Sequence, residues 1–136
     1  MDAFATLVAL VAVIAYTVHA FRKYADACPM CIWKTIAYAA AGDVLSTIVL
    51  RDGTGYGWAN ETSLVVQRWG ALYGNGAVLA VQHAVIIALF FVLAYVCGSS
   101  HMRRSIYAFL AFALNVNFCA AIGWNVGRTF GAALGY

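Results

Sequence analysis

The sequence predicts an all-α, polytopic integral membrane protein: one domain over residues 1–136, built as a bundle of four transmembrane helices. Composition is the first reason. Hydrophobic residues make up 65% of the chain and charged residues 10%, where soluble domains carry about 45–50% and about 25%. A water-soluble globule of 136 residues has too much surface for its volume to hide that apolar content. The second reason is distribution. The apolar residues collect into four continuous runs, each near the ~20 residues a helix needs to cross a ~30 Å hydrocarbon core. Continuous runs indicate helices, whereas barrel strands alternate over about ten residues. The single proline, Pro29, falls outside the runs. Disorder, collagen, coiled coil and small disulfide scaffolds are excluded by the same composition.

The elements follow in order. Residues 3–20 form an uncharged first span. Ala25-Asp26-Ala27 resembles a leader cleavage site, but Arg22 and Lys23 follow the apolar run instead of preceding it, so a retained span is expected. The second span covers 32–50, with Lys34 near its start and Arg51-Asp52-Gly53 at its end. The 51–76 loop opens on Gly53, Gly55 and Gly57. A short helix then places Val65, Trp69 and Leu72 on one face, with Asn60 or Thr62 as its cap. Tyr56, Trp58, Trp69 and Tyr73 are side chains that favour the headgroup level. The short helix therefore reads as interfacial, or else as a lid over a pocket between spans. Spans three and four cover 77–97 and 106–126, separated by a polar break over 98–104, and a helical extension runs on to 136.

Charge bears on orientation and partners. Arg22, Lys23, Lys34, Arg103 and Arg104 flank one side of the bundle; Arg51, Arg68 and Arg128 flank the other. The positive-inside rule puts both termini and the 51–76 loop on the non-cytoplasmic side. Asn60-Glu61-Thr62 is then a glycosylation triplet on that side. The net charge of +3 is scattered, without a basic stripe, which excludes nucleic acid as a partner. The lipid bilayer is the partner that composition demands.

Polar residues within the spans are costly and need an explanation. Asp43 lies mid-way along the second span. Asn115 and Asn117 fall at nearly its depth on the fourth, and Gln82 and His83 somewhat deeper on the third. They serve either as hydrogen-bonding glue between helices or as a small ion- or proton-transport path through Asp43 and His83. Haem ligation by His19 and His83 is disfavoured, because the two fall toward opposite faces.

Gly123, Gly127, Gly131 and Gly135 recur every fourth residue and share one helix face. Glycine weakens a helix by about 1 kcal/mol per residue, so a repeated G-x-x-x-G face signals another backbone packed against it. Three of these residues lie beyond the fourth span's expected end. That points to a glycine zipper with other transmembrane helices, in a hetero-complex or a homo-oligomer. The leading functional reading is thus a non-catalytic structural subunit of a larger membrane assembly, which requires no cofactor.

The cysteines carry the alternatives. Cys28-Pro29-Met30-Cys31 opens the second span, a spacing suited to a disulfide or to two metal positions. Cys97 and His101 lie in the loop on the same side, so Cys28, Cys31, Cys97 and His101 can in principle converge on zinc or an iron–sulfur cluster. Cys119 reads as a small buried hydrophobe. The segment Cys28-Pro29-Met30-Cys31-Ile32-Trp33, opening the second of four spans, resembles the DsbB family of membrane disulfide-generating proteins. That resemblance implies that Cys28 and Cys31 pass electrons from a partner thiol to a membrane quinone. This sequence departs from the family in having Lys34-Thr35 after the motif, where a Gln-Arg pair is usual. It also lacks a second cysteine pair in a long loop between spans three and four.

Overall fold

A computed structural model describes residues 2–24, 29–59, 61–97 and 100–135, with the side chains of residues 2 and 17–24 left aside. Five helices and no strand occur among the described residues: α1 (Asp2–Tyr24), α2 (Pro29–Gly53), α3 (Leu64–Tyr73), α4 (Asn75–Cys97) and α5 (His101–Ala133). Of these, α4 and α5 are long and apolar enough to cross a membrane. Val81, Val85, Leu89 and Val92 on α4 and Phe109 on α5 are exposed, as lipid-facing side chains of a spanning helix are. The uniformly apolar stretch of α1 runs over Ala3–Tyr16, and α2 carries Lys34 and Asp43 within its length.

Helix α5 is the hub, packing on both α1 and α2. Its contact with α1 is antiparallel and backbone-close. A Cβ added at Gly123 would stand 2.7 Å from Cα of Ala9, and one at Gly127 would stand 2.7 Å from Cα of Ala5. No side chain fits there, so glycine is required. At these two positions the face expected to meet another subunit meets α1 of the same chain. The extension expected beyond residue 126 continues the fourth helix unbroken to Ala133, and α1 begins at Asp2. The start of α1 therefore lies along the end of α5. Gly131 is buried. Gly135 is not part of the face: it follows the helix end, at φ +79°, with nothing near a would-be Cβ.

Helices α2 and α5 run parallel. Their register is set by Asn115, whose Nδ2 donates to Thr35 Oγ1 at 3.5 Å, and by Asn125, whose Nδ2 donates to Thr47 Oγ1 at 2.8 Å. Helices α2 and α4 run antiparallel, joined by an edge-to-face pair of Trp33 and Phe91 with centroids 5.3 Å apart. A core of Ile32, Ile36, Ala40, Ala94, Tyr107 and Ala111 joins α2, α4 and α5.

The short helix in the 51–76 loop forms, with a different cap from the one expected. Ser63 is the N-cap and accepts from Val66 N. Thr62 is not the cap, and Asn60 lies outside the described residues. Val66 and Gly70 are buried, with Val66 against Val78 and Leu79 of α4. Val65, Trp69 and Leu72 point outward. The larger apolar face is left for lipid, because the helix packs through its slimmer side. Gly55 and Gly57 both take positive φ, 72° and 71°, which explains glycine at these turns.

The α1–α5 contact yields a stability prediction. Gly127→Leu is expected to destabilise the bundle itself by about 1–3 kcal/mol, the usual scale of overpacking. Ala133→Leu, at an exposed position of α5, should be nearly silent. Thermal unfolding of both variants in mild detergent checks this. Equal midpoints would show that α1 does not sit on this face.

Candidate functional site

The chemistry-bearing residues separate to two ends of the bundle. At one end, α2 begins at Pro29, a residue suited to a first helical position. Cys31 is exposed on that first turn, with exposed Lys34 one turn later on the same face. Cys28 lies outside the described residues. Cys97 closes α4 at this end; it is buried, and its Sγ donates to the Arg103 carbonyl at 3.6 Å. Cys119 is half-buried within α5.

The expected four-ligand metal site does not assemble from the described part. No group of three or more His, Cys, Asp or Glu able to hold a metal occurs among the described residues, so Cys31, Cys97 and His101 do not cluster. The register of α2 and α5 explains this. Asn115 is level with Thr35, 80 positions apart. In that register His101 projects about eight residues, or about 12 Å, beyond Pro29. It is exposed.

The other end holds a polar cavity of about 640 Å³ between α2, α4, α5 and the 51–76 loop. At its floor, His83 Nε2 stands 3.1 Å from Asp43 Oδ2. His83 Nδ1 stands 2.9 Å from the Leu79 carbonyl, one turn back. A carbonyl only accepts, so Nδ1 carries a proton. The Nε2–Oδ2 contact therefore holds one further proton between imidazole and carboxylate. Thr47 Oγ1 donates to the second carboxylate oxygen of Asp43 at 3.4 Å. His83 is only 6% exposed, and Phe118 packs on its ring with centroids 5.3 Å apart. A buried polar pair with each member satisfied on a different helix both specifies and stabilises the packing.

The loop roofs this cavity through specific bonds. Arg51 reaches Glu61 at 3.4 Å, donates to the Gly57 carbonyl at 3.1 Å and lies over the Tyr56 ring at 4.8 Å. Arg128 approaches the same ring at 5.3 Å and the Trp124 ring at 4.8 Å. Ser63 Oγ donates to Gln82 Oε1 at 2.7 Å, tying the cap of α3 to α4. Trp58 Nε1 donates to Asp52 at 2.7 Å.

The predicted polar residues thus divide. Asp43 and His83 meet directly, while Gln82 and Asn117 line the same cavity. Asn115 does not join them. It is fully buried toward the cysteine end, where Nδ2 donates to the Ala111 carbonyl at 2.8 Å. Sequence reasoning passed over Thr47 and Asn125, took Tyr56 only as a headgroup-level aromatic, and treated Arg51 and Arg128 as flanking charges only. Asn125 and Arg128 in an otherwise apolar helix were the available signal. The side chain of His19 lies outside the described residues.

Comparison with known proteins bears on the cysteine end. The family model described as disulfide bond formation protein DsbB matches residues 2–131. No curated protein and no solved structure matches the chain.

The Asp43–His83 pair predicts a measurable coupling. Asp43→Asn and His83→Gln should each lower stability, and the double variant should lose less than the sum. The coupling expected from a double-mutant cycle is about 1–2 kcal/mol. Strict additivity in detergent unfolding would deny that the two side chains interact.

Proposed function

Because the chain belongs to the DsbB family, we propose that it is a four-span membrane thiol–quinone oxidoreductase acting through Cys28 and Cys31. The observation that carries this is the family match running through the C-x-x-C motif, and Cys31 stands exposed where a partner can reach it. In this reading α1 and α2 complete the membrane crossing with α4 and α5.

The cycle balances in two exchanges. A thiolate of a partner dithiol attacks the Cys28–Cys31 disulfide, and the partner's second thiolate resolves the mixed disulfide. The partner leaves oxidised, and Cys28 and Cys31 become thiols. These thiols then give two electrons and two protons to a membrane quinone, reforming their disulfide and yielding quinol. A dithiol and a quinone are matched as two-electron, two-proton partners. Apolar Ile32 and Ile36 and the Trp33–Phe91 pair follow the motif directly, so the thiols sit at the edge of an apolar helix bundle.

The remaining cysteines support a short path. Cys97 is buried and Cys119 lies within α5, so neither stands as a second exposed pair. The partner protein delivers its thiols to Cys28/Cys31 without an intervening disulfide of this chain. The alternative reading, a non-catalytic subunit, lost its main argument when Gly123 and Gly127 were found against α1.

Cys28→Ser or Cys31→Ser is expected to reduce quinone-dependent thiol oxidation in proteoliposomes to background, whereas Cys119→Ala retains it. Undiminished oxidation by Cys28→Ser would rule this assignment out.

A further inference from the structure

Helices α3 and α4 form an antiparallel hairpin: Gly70 meets Asn75, Val66 packs on Val78 and Leu79, and Ser63 bonds to Gln82. Its outer seam is open. A groove of about 670 Å³ runs along that seam, lined by Val65, Trp69 and Tyr73 of α3 and by Ala77, Val81 and Val85 of α4. All six of these residues are exposed, and the walls are almost wholly apolar.

Helix register fixes how deep the groove lies. Asp43 opposite His83 sets Arg51 on α2 level with Asn75 on α4. Thr47 opposite Asn125 sets Arg128 on α5 level with Leu50 on α2. Arg68 on α3 falls between Gly70, beside Asn75, and Val66, beside Val78. The three arginines thus come within about three residues, or ~5 Å, of one plane. Tyr56 and Trp124 stand against two of them there, and Trp69 follows Arg68 directly. Basic and amphipathic aromatic side chains gather where the headgroups of a bilayer begin. From that plane the groove descends along α4 from Ala77 to Ile86, about 14 Å at ~1.5 Å per residue. A hydrocarbon core of ~30 Å is about twice as thick, so the groove has the depth of one leaflet and the length of one acyl chain.

Charge at the upper end of the groove selects the headgroup. Two of the arginines are engaged on the cavity side: Arg51 bridges to Glu61, and Arg128 lies over the rings of Tyr56 and Trp124. Arg68 is exposed, three residues after Val65 and one before Trp69, which places it on the rim of the groove. Among the described residues its charge meets no carboxylate, because Asp43, Asp52 and Glu61 bond to His83, Trp58 and Arg51. Neither α3 nor α4 contains an acidic residue. The rim therefore offers a cation for a phosphate and no anion for a choline or ethanolamine group. We infer that the α3–α4 groove is a site for one anionic phospholipid, with its phosphate at Arg68 and one acyl chain laid along α4. The site is on the outer surface of the bundle and is independent of the cysteine chemistry.

The test places the full chain in phosphatidylcholine nanodiscs containing a trace of phosphatidylglycerol with a photoreactive diazirine on one acyl chain, and maps the label by peptide mass spectrometry. Label is expected on residues 65–86 and is displaced by unlabelled phosphatidylglycerol. The same diazirine carried on phosphatidylcholine should label that stretch about fivefold less, the effect of about 1 kcal/mol for one basic residue at an anionic headgroup. Arg68→Gln should erase this preference, and Arg68→Lys should keep it. Val81→Trp, at an exposed groove position, should fill the channel and lower the label there from both lipids, while label around exposed Phe109 of α5 stays unchanged. Equal labelling by the two lipids, a preference for phosphatidylcholine, or a preference unmoved by Arg68→Gln would each overturn the inference. So would residues 65–86 shielded from label in nanodiscs where α3 cross-links to α3 of another molecule, the mark of a second copy seated in the groove.

Discussion

Hydrocarbon cannot hydrogen-bond, so every polar side chain drawn into an apolar bundle must find its partner on another segment. That constraint fixes how this chain assembles. Asp43 on α2 takes His83 on α4. Thr47 on α2 takes Asn125 on α5, Thr35 takes Asn115, and Gln82 on α4 takes Ser63 at the cap of α3. Apolar contacts alone would let these helices slide by a turn at modest cost. The four polar pairs do not, since a slip of one residue turns each partner away. The bilayer makes the helices obligatory, and the polar pairs give them one arrangement.

The same pairs impose the offset that separates the two ends. Thr35 level with Asn115 and Thr47 level with Asn125 push the first turns of α5 outward past the start of α2. Residues 101–106 are consequently exposed. This carries His101 past the start of α2, and among the described residues no group of three or more candidate metal ligands forms there. On its other side α5 sets Gly123 and Gly127 against Ala9 and Ala5, where α1 closes on them. Two features that looked unrelated along the chain thus meet in the packing of α5: among the described residues no metal-ligand group of three forms at its start, and the glycine face is filled internally at Gly123 and Gly127.

What results is a bundle with its redox-capable residue at one mouth and its buried ionisable pair toward the other. Cys31 is exposed on a first helical turn, as thiol exchange with a large partner requires. His83 is sealed beneath Phe118 and roofed by the Arg51–Glu61 bridge and the Tyr56 ring. Arg128, which flanks a span when counted along the sequence, is buried against Tyr56 and Trp124. It therefore works as a packing element of the roof, its guanidinium spread over aromatic faces that tolerate it in a dry setting.

The helical class, the short helix in the 51–76 loop and the value of Asp43 and His83 were legible because each rests on local information: run length, spacing, or a charge where lipid is expected. Depth matching between helices was not legible. Counting residues from span ends put Asn115 and Asn117 level with Asp43; Asn117 does share its cavity, but Asn115 lies toward the cysteine end, and Asn125 completes the network around Thr47. The count missed Asn115 because it took the apolar runs to start level at 32 and 106, whereas Thr35 level with Asn115 sets position 106 six residues farther out than position 32. Nothing near residue 126 breaks a helix, and α5 accordingly continues past the apolar run to Ala133. The glycine spacing announced a close backbone but not whose it was. Once α5 is allowed its full length, the alanines of α1 at residues 5, 9 and 12 are the small-residue surface it needs, and both halves of that contact were written in the sequence.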